Sequence, residues 1–181
     1  TVTDNNGCKT AISAIVTQPS ALTVTAIGTN PGCNGACTGG ANSTPAGGTT
    51  PYTYKWSNAG TTQNLSSLCA GSYTVTVKDA NLCKANTPVT LTQPTAVTVS
   101  TASTNLSCSG VCIGAATGTG AGGTSPYTYK WSNASTTQTI SSLCAGTYTV
   151  TAIDANGCKA NTLVTITQPT ALTVSTTGTN L

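Results

Sequence analysis

Residues 71–83 read GSYTVTVKDANLC, and the alternation within this stretch decides the fold. Tyr73, Val75 and Val77 alternate with polar residues, and this period of two is typical of a β-strand with one buried face and one solvent face. The 79–81 segment supplies a turn, because Asp and Asn side chains readily hydrogen-bond the neighbouring backbone. The stretch therefore predicts a strand that ends in a tight turn.

The same alternation recurs along the chain. It is present at 22–25, 52–56 and 89–92, and turns rich in Gly, Asn and Pro separate these segments. No stretch shows the 3.6-residue apolar period of an amphipathic helix. Several short strands separated by such turns are typical of a small β-sandwich, so we expect an all-β fold with essentially no helix.

An internal repeat of 75 residues organises the sequence. The string PYTYKWSN begins at Pro51 and again at Pro126, and four cysteines recur at the same offset. Self-similarity at a fixed period predicts a tandem array of like units. The sequence divides into the C-terminal tail of a preceding repeat (1–18), two complete repeats (19–93 and 94–168) and the start of a following repeat (169–181).

Composition excludes several function classes. Charged residues make up 5% of the chain, and the net charge of +3 rests on six dispersed lysines, too thin for the clustered basic surface that binds nucleic acid. There is no His, Arg or Glu, so the usual acids, bases and nucleophile partners of enzymes are missing. Apolar runs are only a few residues long, so we expect no membrane span. We also expect no cofactor.

Nine cysteines indicate an oxidising compartment and a disulfide framework. Cys69 and Cys83 flank a strand that spans roughly 25 Å, whereas bonded cysteines have Cα atoms within about 7 Å. In a sandwich, the turn after the first strand and the turn before Gly71 lie at one pole, which favours a Cys37–Cys69 bond. The equivalent bond one repeat later is Cys112–Cys144.

The remaining cysteines have several potential partners. Cys83 is expected at the opposite pole, where it meets either Cys33 of its own repeat or a cysteine of a neighbouring repeat, such as Cys108. Sequence leaves these alternatives open. We expect bonds within or across repeats for the whole remaining set, which is Cys8, Cys33, Cys83, Cys108 and Cys158.

Two further groups of residues have either a structural or a functional interpretation. The aromatic residues either stack sugars or fill the core, and core is favoured because they hold most of the bulky apolar area; they are Tyr52, Tyr54, Trp56, Tyr73, Tyr127, Tyr129, Trp131 and Tyr148. The Asp-x-Asn turns either form hairpins or hold Ca²⁺, and one carboxylate per turn favours the hairpin. The residues named for calcium are Asp79, Asn81, Asp154 and Asn156.

The string GGTxPYTYxWSNAxTTQxxSSLCAGxYTVTxxDANxCKANTxVTxTQP runs from Gly47 to Pro94 and again from Gly122 to Pro169. It closely resembles the SprB-type repeat of cell-surface gliding-motility adhesins from Bacteroidota, and the resemblance covers essentially the whole chain. It implies immunoglobulin-like or PKD-like sandwich repeats within a very large protein. Such a protein would be exported by the type IX secretion system and displayed as surface filaments for adhesion or gliding.

Two functional hypotheses follow. The first is a structural shaft of sandwich units joined at Thr-Gln-Pro, whose partners are neighbouring repeats and other copies of the filament. The second is a multivalent binding module, in which loops such as 58–63 present weak sites for carbohydrate or surface polysaccharide and many copies act together. Both hypotheses place the chain outside the cell, at its surface.

Overall fold

The computed structural model describes residues 1–178 of the 181-residue chain. Within this range the regular elements are all β-strands, and no helix is present. The prediction of an all-β fold with essentially no helix is therefore confirmed. Among the described residues, none lie in a helix long and apolar enough to cross a membrane.

Fourteen strands are found within residues 1–178. A hairpin comes first, formed by β1 (Val2–Thr3) and β2 (Lys9–Thr10). Six strands follow, which are β3 (Thr23–Thr29), β4 (Gly39–Ala46), β5 (Thr53–Trp56), β6 (Asn64–Leu68), β7 (Gly71–Lys78) and β8 (Lys84–Leu91). The last six are β9 (Thr98–Thr104), β10 (Gly114–Ala121), β11 (Thr128–Trp131), β12 (Thr139–Leu143), β13 (Gly146–Ile153) and β14 (Lys159–Ile166).

Each set of six strands forms two three-stranded sheets. The hydrogen-bonded orders are β3-β4-β6 and β5-β7-β8 in the first set, and β9-β10-β12 and β11-β13-β14 in the second. The pairing of β13 with β14 is antiparallel and runs from Gly146 opposite Ile166 to Ile153 opposite Lys159. The Thr-rich alternation of these strands puts small apolar groups on one face and hydroxyls on the other.

The two sets of strands match at an offset of 75 residues. β3 begins at Thr23 and β9 at Thr98, and every strand of the first set has the length of its counterpart. The short hairpin of β1 and β2 matches the end of β7 and the beginning of β8 at the same offset. Like side-chain patterns have therefore produced like local structure.

The two sheets of the second set face each other, because β14 contacts β9 and β10 contacts β13. Trp131 and Val150 lie at the centre of the core between them, 2% and 0% exposed. Burial of one aliphatic side chain contributes roughly 1.5–3 kcal/mol, so this layer is a main source of stability. The buried cluster consists of Leu106, Ala116, Trp131, Ile140, Leu143, Val150, Val164 and Ile166.

Glycine lets the two sheets approach closely at β10. A Cβ on Gly114 would lie 2.8 Å from Ile166 Cγ2 and 3.0 Å from the Leu143 carbonyl oxygen. Such separations are too short for carbon, so a larger residue would push the strands apart. The small residues of β10 are thus a packing requirement.

The chain forms two compact units. One comprises Thr1–Ile27, Asn42–Asn64 and Tyr73–Val89, and its buried side chains include Trp56, Val75 and Val77. The other comprises Gly28–Ala41, Leu65–Ser72 and the chain from Thr90 onward, and it contains the Trp131 cluster together with buried Leu68 and Leu91.

Candidate functional site

An aspartate organises each Asp-x-Asn-x-Cys turn. Oδ1 of Asp154 accepts the backbone N–H groups of Asn156 at 2.9 Å and Cys158 at 2.8 Å. Its Oδ2 accepts the backbone N–H of Thr124, in the loop before β11, at 2.9 Å. Asp79 accepts corresponding bonds 75 residues earlier. Each carboxylate is buried and ties its turn to a distant loop.

Glycine is required where the loop passes over the carboxylate. Gly123 has a φ of +57°, and a Cβ there would collide with Oδ2 of Asp154. A Cβ on Gly48, with a φ of +65°, would lie 2.7 Å from Oδ2 of Asp79. Positive φ and close approach both exclude a side chain, which explains the Gly-Gly pair before each PYTYKW string.

These contacts also shift the acidity of the two carboxyl groups. The backbone N–H of Thr49 is the main cause that lowers the pKa of Asp79 below its ordinary value. For Asp154, burial would raise the pKa, but the backbone N–H groups of Thr124 and Cys158 help to lower it overall. Both groups are therefore held as carboxylates that accept hydrogen bonds.

The calcium hypothesis rests on these same turns. In the structure, both oxygens of each buried carboxylate accept N–H groups, so they already have hydrogen-bond partners. Asn81 and Asn156 direct their amide nitrogens at neighbouring oxygens. Among residues 1–178, no three His, Cys, Asp or Glu side chains come together in a way that could hold a metal ion. The arrangement as described organises turns.

Three disulfides are present within residues 1–178. Cys37 bonds Cys69 with a Cα–Cα distance of 3.8 Å, and Cys112 bonds Cys144 with a Cα–Cα distance of 4.0 Å. These are the two pairings that strand order favours. Each bond spans 32 residues in sequence. It joins the loop after the first strand of a set (β3 or β9) to the turn before the strand that begins at Gly71 or Gly146. Three disulfides are typical of proteins exported to an oxidising compartment.

The third disulfide joins residues far apart in sequence. Cys33 bonds Cys158 across 125 residues, with a Cα–Cα distance of 5.7 Å. The Asn156 side-chain amide reinforces this link, because it donates to the Gly32 carbonyl oxygen at 2.9 Å and to Thr124 Oγ1 at 3.0 Å. We call residues 32–35 and 156–158 together the junction.

The junction loop 32–35 is fixed from its other side by the Thr-Gln-Pro segment. Gly35 donates its backbone N–H to Gln93 Oε1 at 2.7 Å, and Asn34 Nδ2 donates to the Pro94 carbonyl oxygen at 3.0 Å. The sequence indicates Thr-Gln-Pro as the segment that joins repeats, but it does not predict that Gln93 binds this loop. The threefold recurrence of Thr-Gln-Pro was the available signal, since a recurring Gln beside a Pro indicates a side chain with a fixed partner.

Three cysteines differ from the expectation that all are bonded. Cys8, Cys83 and Cys108 are exposed free thiols. Cys33 and Cys158 bond each other, so Cys33 is not available to Cys83. The alternatives of Cys83 with Cys33, and of Cys83 with Cys108, are therefore absent from the structure.

The aromatic residues divide into two groups. Trp56 and Trp131 are fully buried, and each indole N–H donates to a backbone carbonyl at 2.9 Å. The tyrosines are half-buried; Tyr52 donates its hydroxyl to the Gly47 carbonyl oxygen at 2.6 Å, and Tyr127 likewise to Gly122. No open aromatic platform results from this arrangement within the described chain. The other half-buried members are Tyr54, Tyr73, Tyr129 and Tyr148.

No protein family matches the sequence, and no curated protein matches it either. Several solved structures are distantly similar to this chain. The amphioxus IgVJ-C2 molecule is 16% identical over 67% of this chain and 91% of its own, with a TM-score of 0.33. The C-terminal 282-residue fragment of intimin, solved with the intimin-binding domain of its translocated receptor, is 14% identical over 85% of this chain and 64% of its own, with a TM-score of 0.36.

The fold and its disulfides define the class. Antiparallel three-stranded sheets that face each other, closed by disulfides, make this an all-β protein of the immunoglobulin-like sandwich type. The junction disulfide and the buried aspartate turns are the features that any account of its function has to explain.

Proposed function

We propose that this chain is a segment of the extracellular shaft of a cell-surface adhesin, a structural protein built from 75-residue units. The units are 19–93 and 94–168, flanked by parts of like units at 1–18 and 169–181. The observation that carries the proposal is the Cys33–Cys158 disulfide. This bond links a loop of one 75-residue repeat, 19–93, to the last turn of the next repeat, 94–168.

A bond of this kind suits a protein that carries load. Tension along the chain passes from Cys33 to Cys158 through one covalent link and bypasses the chain between them, a sequence separation of 125 residues. The folded strands in that span are then shielded from the pull.

The surface chemistry also supports a structural role. The chain has three carboxylates in all, and two of them are buried in turns. Strands such as β3 and β9 carry exposed Thr and Ser hydroxyls, and a hydroxyl is weakly nucleophilic and needs a base to react. A non-enzymatic protein fits this inventory.

The resemblance to gliding-motility adhesin repeats supports a more specific role. It supports export by the type IX secretion system, display at the cell surface and a part in adhesion or gliding. The proposed partners are neighbouring 75-residue repeats of the same chain and other copies of the filament.

Small-angle X-ray scattering of this chain tests the proposal. The expected result is an elongated particle whose maximum dimension grows linearly when further 75-residue units are added. The matched control is C33S/C158S, which keeps the Cys37–Cys69 and Cys112–Cys144 bonds and releases only the junction; it is expected to sample a broader range of dimensions. A compact particle for the unmodified chain would contradict the shaft.

A further inference from the structure

We propose that the loop around Cys108 is a docking site for a second copy of this chain, which enters with its 81–83 turn and closes a Cys108–Cys83 disulfide. Cys108 corresponds to Cys33, and Cys83 corresponds to Cys158, at the offset of 75 residues. The inference deepens the proposed shaft function and rests on it, because it adds head-to-tail joining of separate chains through the same junction.

The template for this contact lies within the molecule itself. In the junction, the Cys33–Cys158 bond is accompanied by a hydrogen bond from Asn156 Nδ2 to the Gly32 carbonyl oxygen at 2.9 Å. Each copy of the chain has a second loop equivalent to the one around Cys33, which contains Cys108. It also has a second turn equivalent to the one around Cys158, which contains Cys83. Both have free, exposed thiols.

The receiving loop has the conformation of the bonded one. Gly110 donates its backbone N–H to Gln168 Oε1 at 3.1 Å, as Gly35 does to Gln93 Oε1 at 2.7 Å. The two glycines have φ values of +83° and +73°. The loop around Cys108 is thus set in the shape that accepts a turn.

An open groove lies beside Cys108. It has a volume of about 490 Å³ and is lined by 107–109 and 169–172. In the junction, the counterparts Cys33, Asn34, Ala96 and Val97 line a cavity together with Cys158 and Lys159 of the entering turn. The groove at Cys108 therefore presents the same wall without a turn against it.

One substitution between the two loops is sterically compatible with docking. Ser107 stands where the bonded loop has Gly32. A Cβ on Gly32 would lie 3.7 Å from Cβ of Asn156, which is ordinary van der Waals contact. The Ser107 side chain therefore leaves room for an asparagine to sit over its carbonyl.

The 81–83 turn, which would enter the groove, has a side-chain amide positioned for the contact. Asn81 Nδ2 donates to Thr49 Oγ1 at 2.9 Å, as Asn156 Nδ2 does to Thr124 Oγ1 at 3.0 Å. Within residues 1–178, Asn81 makes no counterpart of the second bond by which Asn156 reaches Gly32. Its second amide hydrogen is available for the carbonyl oxygen of Ser107 in another copy.

Disulfide formation here needs an oxidant, and a small-molecule disulfide such as oxidised glutathione serves. The thiolate of Cys83 attacks the oxidant, forms a mixed disulfide and releases one small thiol. The thiolate of Cys108 in the other copy then attacks the sulfur of Cys83 and releases the second small thiol. Two protein thiols and one disulfide thus become one protein disulfide and two small thiols.

Complementary cysteine variants test the pairing. C8S/C83S leaves Cys108 as the only free thiol, and C8S/C108S leaves only Cys83. Cys8 is removed from both because its turn has the same Asp-to-Cys bonds as the other turns. In a glutathione redox buffer, each variant alone is expected to stay monomeric on a non-reducing gel. An equal mixture is expected to give a dimer that does not extend, with a Cys108–Cys83 peptide in its mass spectrum.

A third variant separates docking from random thiol collision. Adding Asn81→Ala to C8S/C108S removes the hydrogen bond but keeps the thiol. Cross-linking is expected to slow about fivefold, the effect of one typical hydrogen bond. Peptide mapping for the Cys33–Cys158 bond verifies that each variant is folded.

Two outcomes would overturn the inference. One is homodimers of either variant formed as fast as the mixed dimer, and the other is no mixed dimer although the Cys33–Cys158 bond is intact. Neither outcome bears on the shaft, which the scattering of the single chain decides. A compact single chain in scattering would instead refute the shaft, whatever the cross-linking result.

Discussion

Asn156 and Gly32 are separated by 124 residues, yet the Asn156 side chain donates a hydrogen bond to the Gly32 carbonyl oxygen at 2.9 Å. The same amide nitrogen donates to Thr124 Oγ1 in the loop that Asp154 also binds. One asparagine therefore connects the turn, the neighbouring loop and the junction, beside the Cys33–Cys158 bond.

Substitution of Asn156 should destabilise the chain more than substitution of its counterpart Asn81. Asn156→Ala removes two hydrogen bonds and Asn81→Ala removes one, and each bond contributes about 1 kcal/mol. We expect losses of about 2 and about 1 kcal/mol in urea unfolding of the oxidised chain. Equal losses would show that the bond to Gly32 contributes nothing.

The buried aspartates should make stability depend on acidity. Because the folded-state pKa of Asp79 and of Asp154 is lowered, their contribution is present above the unfolded value near 3.8 and is lost as pH falls through the folded pKa. The melting temperature of the wild type should therefore fall when the pH is lowered below about 4. D79N/D154N should melt several degrees lower at pH 7 and show a flatter acid limb.

The matched control is Asp4→Asn. Asp4 accepts side-chain hydrogen bonds from Asn6 and Cys8 of its own exposed turn. Its substitution should leave the melting temperature at pH 7 near that of the wild type. An unchanged acid limb in D79N/D154N would contradict the role of the two buried carboxylates.

Gly123→Ala should be strongly destabilising. Its Cβ would collide with Oδ2 of Asp154 at a φ of +57°, so the strain of the positive φ adds to a clash with a buried carboxylate. We expect a loss of about 2–4 kcal/mol. Gly157→Ala is the control, because its φ is +80° and no atom lies within 4 Å of the added Cβ. It should lose only about 1 kcal/mol.

Leu82→Gly should stabilise the chain. Leu82 has a φ of +67° and is 68% exposed, whereas glycine stands at the equivalent Gly7 and Gly157. Relief of the left-handed conformation outweighs the little apolar burial that is lost, so we expect a gain of about 1 kcal/mol. A loss of stability in thermal unfolding would show that the exposed leucine makes a contact that its exposure hides.

The strands with alternating side chains could be predicted from the sequence. Tyr73, Val75 and Val77 fall on β7, and Tyr54 and Trp56 on β5, with period two as expected. β4 and β10 were not predicted, because their strand faces are built from Gly, Ala, Ser and Thr and show no apolar alternation. Tertiary packing, in which Gly114 admits Ile166, decides those strands.

The disulfides within a repeat could be predicted from the sequence, but the junction disulfide could not. Cys37 and Cys69 could be paired because strand order and strand length limit their positions. Cys33 and Cys158 lie 125 residues apart, and their meeting depends on how the loop at 32–35 is held by Gln93. No local pattern encodes that geometry, since it arises from contacts between segments distant in sequence.

Stretching the single chain from its two ends in a force spectrometer tests whether the junction disulfide bypasses the folded span. With Cys33 bonded to Cys158, the residues between them cannot extend. On reduction the contour length should increase by about 430 Å, the length of the released residues at about 3.5 Å each. An increase of only about 220 Å, which opening of the Cys37–Cys69 and Cys112–Cys144 loops alone would give, would contradict the junction and the shaft that depends on it.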